Sequence, residues 1–263
     1  MSEPSRQPIL CFAINLVSDE LRRKAISSQL EKLGISYKVF NAIDGRKIPD
    51  AELPNLYDRQ GAIKESHDLT RGELGCALSH LGVYREMVEN SLNYALIVED
   101  DAKLASDVPA VLKRLAEEFA PDAPVVVLLN YIEKYKDLGV KELDEVHALV
   151  NTYGGIPNAH GYFITLAAAR NLSENLFPIR LVADRWDKFN DKGLIKVKAV
   201  VPYCVGLTDF ALQSNLDVDR VARMRLYRRG GVRYFLHRFL YKKFIYQLFV
   251  RPFQRVKTQK ETW

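Results

Sequence analysis

The opening of the chain constrains its fold most: an apolar run, a capped helix and a second alternating run follow one another without a break. Ile9 to Val17 reads as a strand, and Ser18-Asp19-Glu20 supplies a capping serine with two acids for the first helical turn. Leu21, Ile26, Leu30 and Leu33 recur near helical spacing, and Gly34 is placed to close the helix in the left-handed conformation. Ile35 to Ile43 then alternates as a strand and stops at Asp44-Gly45. A β-α-β opening of this kind predicts an α/β fold.

Residues 46–69 are polar and irregular, with Pro49 and Pro54, and read as a long loop that is either disordered or engaged with substrate. Thr70-Arg71-Gly72-Glu73 has the spacing of a capping box, and Leu74, Leu78, Leu81 and Val88 give the helix after it an apolar face. Tyr94 to Val98 predicts a buried strand, Asp107 to Phe119 a helix and Val125 to Leu129 a further strand, an order that suggests parallel pairing. Strand pieces broken at Gly154-Gly155 are expected from Val146 to Ile164, then a helix over Leu166 to Leu176 and a strand over Ile195 to Val201.

The strand at Tyr94 to Val98 runs directly into Glu99-Asp100-Asp101. Desolvating unpaired carboxylates costs several kcal/mol each, so a divalent cation is their simplest partner, with a surface turn as the alternative. Hard oxygen ligands completed by phosphates and water suit Mn²⁺ or Mg²⁺, and ligands of α/β sheets gather at the carboxyl ends of strands. In an extended segment Glu99 and Asp101 point one way and Asp100 the other.

Charge divides the chain unevenly. From Arg220 to Lys260 there are nine Arg, four Lys and no acid, so the net +5 conceals an acidic body. This suggests a catalytic domain over residues 1–219 and a basic aromatic tail over 220–263. Val232, Phe235, Leu236, Phe239, Leu240 and Leu248 approximate a helical stripe among the cations. Such a helix suits an anionic membrane surface; a nucleic-acid arm and a packing helix are the competing readings. No apolar run reaches the ~18 to 20 residues of a spanning helix, and no clear export signal precedes the first strand. The expected location is therefore cytoplasmic, peripheral on the inner face of the cytoplasmic membrane. Cys11, Cys76 and Cys204 lack zinc-site pairing and read as reduced, largely buried thiols.

Several blocks occur in a familiar order: Ile14-Asn15-Leu16 with Arg22-Arg23, Asp44-Gly45, LTRGELGCALSH from Leu69 to His80, and IVEDD from Ile97 to Asp101. Gly161-Tyr162-Phe163-Ile164 and the stretch from Pro178 to Asp184 follow. This series, over about residues 9–215, resembles glycosyltransferase family 25. The resemblance implies a GT-A type fold, a Rossmann-like mixed sheet flanked by helices, here with a basic helical C-terminal tail. It further implies a UDP-sugar donor, usually UDP-galactose or UDP-glucose, and Mn²⁺-dependent inverting transfer to a lipooligosaccharide-type glycolipid acceptor.

On this reading Glu99 and Asp101 hold the metal, and Asn15, Asp44 and Asp100 contact the donor. Asp184, by its place in the matching block, is the first candidate for the base that inversion requires. Glu73, Cys76 and His80 share one helical face, so Glu73 and His80 are further catalytic candidates, although capping and a core hydrogen bond account for them equally well. Arg22 and Arg23 are candidates for contact with the nucleotide, although each alone reads more readily as a solvated side chain, and His160 reads as structural. A noncatalytic membrane-associated sugar-binding protein and another metal-dependent enzyme acting on phosphates are the alternative functions.

Overall fold

The computed structural model describes residues 8–154, 158–209 and 255–259. Strand β1 (Leu10–Asn15), helix α1 (Glu20–Lys32) and strand β2 (Tyr37–Asn41) form the expected β-α-β unit, with β1 and β2 parallel. The cap of α1 is Asp19 rather than Ser18: its carboxylate accepts from the Arg22 amide at 3.3 Å. Gly34 ends the helix at φ +65°, where a Cβ would be strained.

The stretch expected as a loop is instead a 3-10 turn (Gly45–Lys47) and two short helices, α2 (Leu53–Leu56) and α3 (Arg59–Glu65). Local caps and a satellite core hold it. Asp58 accepts from the Gly61 amide at 2.9 Å, and Ala62 packs with Leu74, Leu81 and Ile179. Helix α4 (Arg71–Glu89) begins with the predicted capping box.

Strand β3 (Tyr94–Glu99) pairs parallel with β1, and β4 (Ala102–Leu104) follows one turn later. Helix α5 (Val108–Glu118) leads to β5 (Val125–Leu128), then β6 (Lys134–Glu142), β7 (Ala148–Thr152) and β8 (Gly161–Thr165). Helices α6 (Leu166–Asn175) and α7 (Trp186–Asp191), strands β9 (Lys196–Val201), β10 (Val205–Leu207) and β11 (Val256–Thr258) complete the described elements.

Nine strands form one mixed sheet in the order β11-β6-β7-β9-β5-β8-β3-β1-β2. The expected direct pairing of β3 with β5 is not found, because β8 lies between them, antiparallel to both. Every β8 residue is buried, as suits a central strand whose two faces are both covered by helices. Alternation along β1 separates two cores: Phe12 and Ile14 face α4, α6 and α7, whereas Cys11 and Ala13 face α1 and α5. The result is a Rossmann-like mixed sheet with helices on both faces, the layout of the GT-A type.

Among the described residues no helix is long and apolar enough to cross a membrane. Cys11 and Cys204 are buried thiols and Cys76 is half-buried. Val256–Thr258, expected within the basic helical tail, is an edge strand antiparallel to β6, with Lys257 Nζ 2.8 Å from Asp137. The expected boundary at 219/220 and the aromatic stripe lie outside the described residues.

Candidate active site

Parallel pairing sets Ile14 opposite Glu99, so β1 and β3 end side by side. Asn15, the last residue of β1, is 1% exposed. Its Nδ2 donates to Asp100 Oδ2 at 2.8 Å and to the Asp19 carbonyl at 3.0 Å. From the first turn of α1, Arg22 Nη1 donates to Asp100 Oδ1 at 3.2 Å and lies 4.0 Å from Asp101 Oδ2. The helix after β1 thus folds a guanidinium over the end of β3, and the reading of Arg22 as a solvated side chain is corrected. The signal was positional: Arg22 is one turn past the carboxyl end of a parallel strand.

β3 stops at Glu99, and Asp100-Asp101 form a turn, so strict strand alternation does not extend through the acids. The Thr208 amide and hydroxyl both donate to the Asp101 carbonyl, at 2.8 and 3.0 Å, fixing that turn. Burial raises the Asp101 pKa to about 7, with Glu99 and Asp100 adding to the shift and Arg22 opposing it. Burial also raises Asp100, against the hydrogen bond from Asn15 and the charge of Arg22. Among the described residues Asp101 Oδ1 is buried with no hydrogen-bond partner. A buried carboxylate oxygen with an unmet lone pair, crowded by like charges, fits a hard divalent cation.

Glu99 is approached from the other side by α4. His80, 1% exposed, shares a 2.7 Å hydrogen bond between Nδ1 and the Tyr162 hydroxyl, and its Nε2 lies 3.4 Å from Glu99 Oε1. Tyr162 is bonded in turn to the Tyr84 hydroxyl at 2.8 Å, and burial pushes both phenols upward. The Glu99 amide donates to the His160 carbonyl at 3.1 Å. Burial lowers the His160 pKa while the nearby Glu99 charge opposes the shift. Beyond β8, Asn130 is fully buried at the end of β5 with Oδ1 unmet among the described residues. Asn15, Glu99, His160 and Asn130 therefore line one edge of the sheet, and His160 and Asn130 were missed by sequence reasoning.

Asp184 precedes α7, and its Oδ2 accepts from the Asn158 amide at 3.0 Å. Trp186 Nε1 donates to the Asn158 carbonyl at 3.0 Å, so this segment grips the chain two residues before His160. The two remaining candidates are committed elsewhere. Glu73 Oε2 accepts from the Thr70 amide at 2.8 Å within the capping box, and Oε1 lies 3.4 Å from His67 Nε2, a structural role. Asp44 binds Arg46 at 2.8 Å, and that hydrogen bond holds its pKa below the usual value. Gly45 behind it packs so tightly on Arg71 and Gly75 of α4 that any Cβ would overlap backbone.

A family model described as glycosyltransferase family 25 (LPS biosynthesis protein) matches residues 9–186. The chain belongs to glycosyltransferase family 25. Mouse procollagen galactosyltransferase 2 is 31% identical over 170 residues, 61% of this chain and 27% of that protein. Mouse inactive glycosyltransferase 25 family member 3 is 33% identical over 111 residues, 41% of this chain and 19% of that relative. The matches thus span about a quarter or less of those longer relatives. Both names belong to family 25 relatives, so membership alone does not decide activity. A solved glycosyltransferase involved in the glycosylation of the major capsid of PBCV-1 covers 73% of this chain and 81% of its own, at 8% identity and TM-score 0.38.

Proposed function

We propose that this chain is a metal-dependent inverting hexosyltransferase, moving a sugar, galactose first among the expectations, from a UDP-sugar to a lipooligosaccharide-type glycan acceptor. The observation that carries the metal-dependent reading is Asp101 Oδ1, buried and, among the described residues, unmet beside Glu99 and Asp100 at the carboxyl end of β3. Glu99 and Asp101 would hold Mn²⁺ or Mg²⁺, which supplies charge neutralisation for a departing nucleotide diphosphate. Asn15 and Arg22 hold Asp100 on the donor side of the cluster. His80, anchored by Tyr162, positions Glu99 rather than exchanging protons with substrate. Asp184 is the proposed acceptor of the proton from the attacking hydroxyl.

The family description supports the glycan acceptor, and the galactosyltransferase relatives support the sugar. The cations and aromatics of 220–263 support peripheral attachment to the inner face of the cytoplasmic membrane. A second reading, a noncatalytic sugar-binding protein, is favoured by the inactive relative that matches part of this chain.

Titrating UDP-galactose, UDP-glucose and their N-acetyl analogues with and without Mn²⁺, followed by a transfer assay, tests both. Metal-dependent binding of one donor with turnover, and turnover lost in Asp184→Asn with donor binding kept, supports the transferase. Donor binding without turnover toward any glycan acceptor favours the noncatalytic reading, and no donor binding overturns both.

A further inference from the structure

Cys76 and His80 lie four residues apart on α4 and so share one face, and Glu99 meets that face from the end of β3. One ligand atom from each side chain lies within 4.8 Å of the other two. The separation of His80 Nε2 from Glu99 Oε1, 3.4 Å, is long for a hydrogen bond. It matches the roughly 3.4 Å edge of a tetrahedron whose nitrogen and oxygen ligands stand ~2.1 Å from a central zinc ion. Tyr162, bonded to His80 Nδ1 and held by Tyr84, fixes the imidazole as outer partners fix metal-bound histidines. With its proton on Nε2, His80 donates to Glu99; in the other tautomer, with Nδ1 donating to Tyr162, the Nε2 lone pair and the Glu99 carboxylate face each other, and a cation between them resolves the clash.

We propose that Cys76, His80 and Glu99 form a second cation site, selective for a thiophilic divalent ion of the zinc class. One thiolate, one neutral imidazole and one carboxylate around Zn²⁺ sum to zero charge, which suits a place where His80 is buried and Cys76 and Glu99 are half-buried. The soft sulfur ligand distinguishes this site from the oxygen ligands of Asp101, which suit Mn²⁺ or Mg²⁺. Glu99 belongs to both sets, so zinc at Cys76 withdraws it from Asp101 and opposes binding of the harder ion. The site's existence does not depend on sugar transfer.

The test uses Co²⁺, a spectroscopic stand-in for zinc, titrated into the full chain without nucleotide. A thiolate-to-cobalt charge-transfer band saturating at one equivalent is expected. Zn²⁺ should abolish it, Cys76→Ser should lose it, and His80→Gln should weaken cobalt binding at least tenfold, whereas Asp101→Ala should keep it. No such band, or a band that survives Cys76→Ser, overturns the proposal. A second measurement needs no variant: Zn²⁺ should slow iodoacetamide alkylation of Cys76 at least tenfold, read by mass spectrometry, and an unchanged rate overturns the proposal independently.

Discussion

Two carboxylate neighbourhoods lie on either side of α4's span, and among the described residues they differ in how completely their carboxylate oxygens are met. At the start of α4, Glu73 accepts from the Thr70 amide at 2.8 Å and from its hydroxyl at 3.1 Å, with His67 3.4 Å away. At the end of β3, Asp100 and Asp101 share the guanidinium of Arg22, and among the described residues a buried oxygen of Asp101 has no hydrogen-bond partner. Both sequences read alike, acids beside apolar runs. The first is built to stabilise the fold. The second holds a buried oxygen that the described residues leave unmet, as expected where local stability is given up for a ligand.

The sharpest way to break this contrast is Asp101→Asn. It should weaken Mn²⁺-supported donor binding at least a hundredfold, about 3 kcal/mol, in calorimetric titration. The same change should stabilise the metal-free chain by roughly 1–2 kcal/mol at pH 8, because a carboxylate raised by burial opposes folding once ionised. A destabilised variant with donor binding intact would make the two neighbourhoods alike.

Tyr162→Phe sharpens the link between them, since α4 reaches Glu99 through His80. The substitution strips a buried partner from both His80 Nδ1 and the Tyr84 hydroxyl. A loss of about 1–3 kcal/mol is expected in denaturant unfolding, with donor binding weakened severalfold as Glu99 loses its support.

The β-α-β opening and the capping box were legible because their signals are local: apolar spacing, a closing glycine, a threonine three residues before a glutamate. The insertion of β8 between β3 and β5 was not, because strand order is set by pairing between residues far apart in sequence. That same insertion brings His160 against Glu99, so a histidine beside a glycine gave no local sign of its place. Strand β6 was missed because most of its residues are exposed and no apolar run marks it. The acidic triplet was legible, but its division of labour was not: Asp100 is held by Asn15 and Arg22, while Oδ1 of Asp101 is unmet among the described residues.

The pH dependence separates the neighbourhoods further. With Asp101 raised from its ordinary range to about 7, its contribution to stability is fully present below about pH 4 and is lost as pH rises through 7. The stability gain of Asp101→Asn should therefore grow from about pH 4 to pH 7 and level off above. Metal binding needs the ionised form, so Mn²⁺ affinity should fall by up to about tenfold for each pH unit below 7, about 1.4 kcal/mol. A flat profile in titrations from pH 5 to 8, flagged by roughly constant affinity, would show that Asp101 is ionised throughout.

The smallest expected effect is the most discriminating about Glu73. Thr70→Ala removes the hydroxyl that accepts from the Glu73 amide at 3.2 Å and donates to its carboxylate at 3.1 Å. A helix cap of this kind contributes about 1 kcal/mol, so the melting temperature should drop by a few degrees while Thr70→Ser retains most of the native value. Because the cap closes on itself at the end of α4 that carries Glu73, donor affinity should stay within about twofold of native. Loss of donor affinity out of proportion to the stability change would return Glu73 to the binding machinery, and the contrast between a satisfied structural carboxylate and an unsatisfied functional one would no longer divide the molecule.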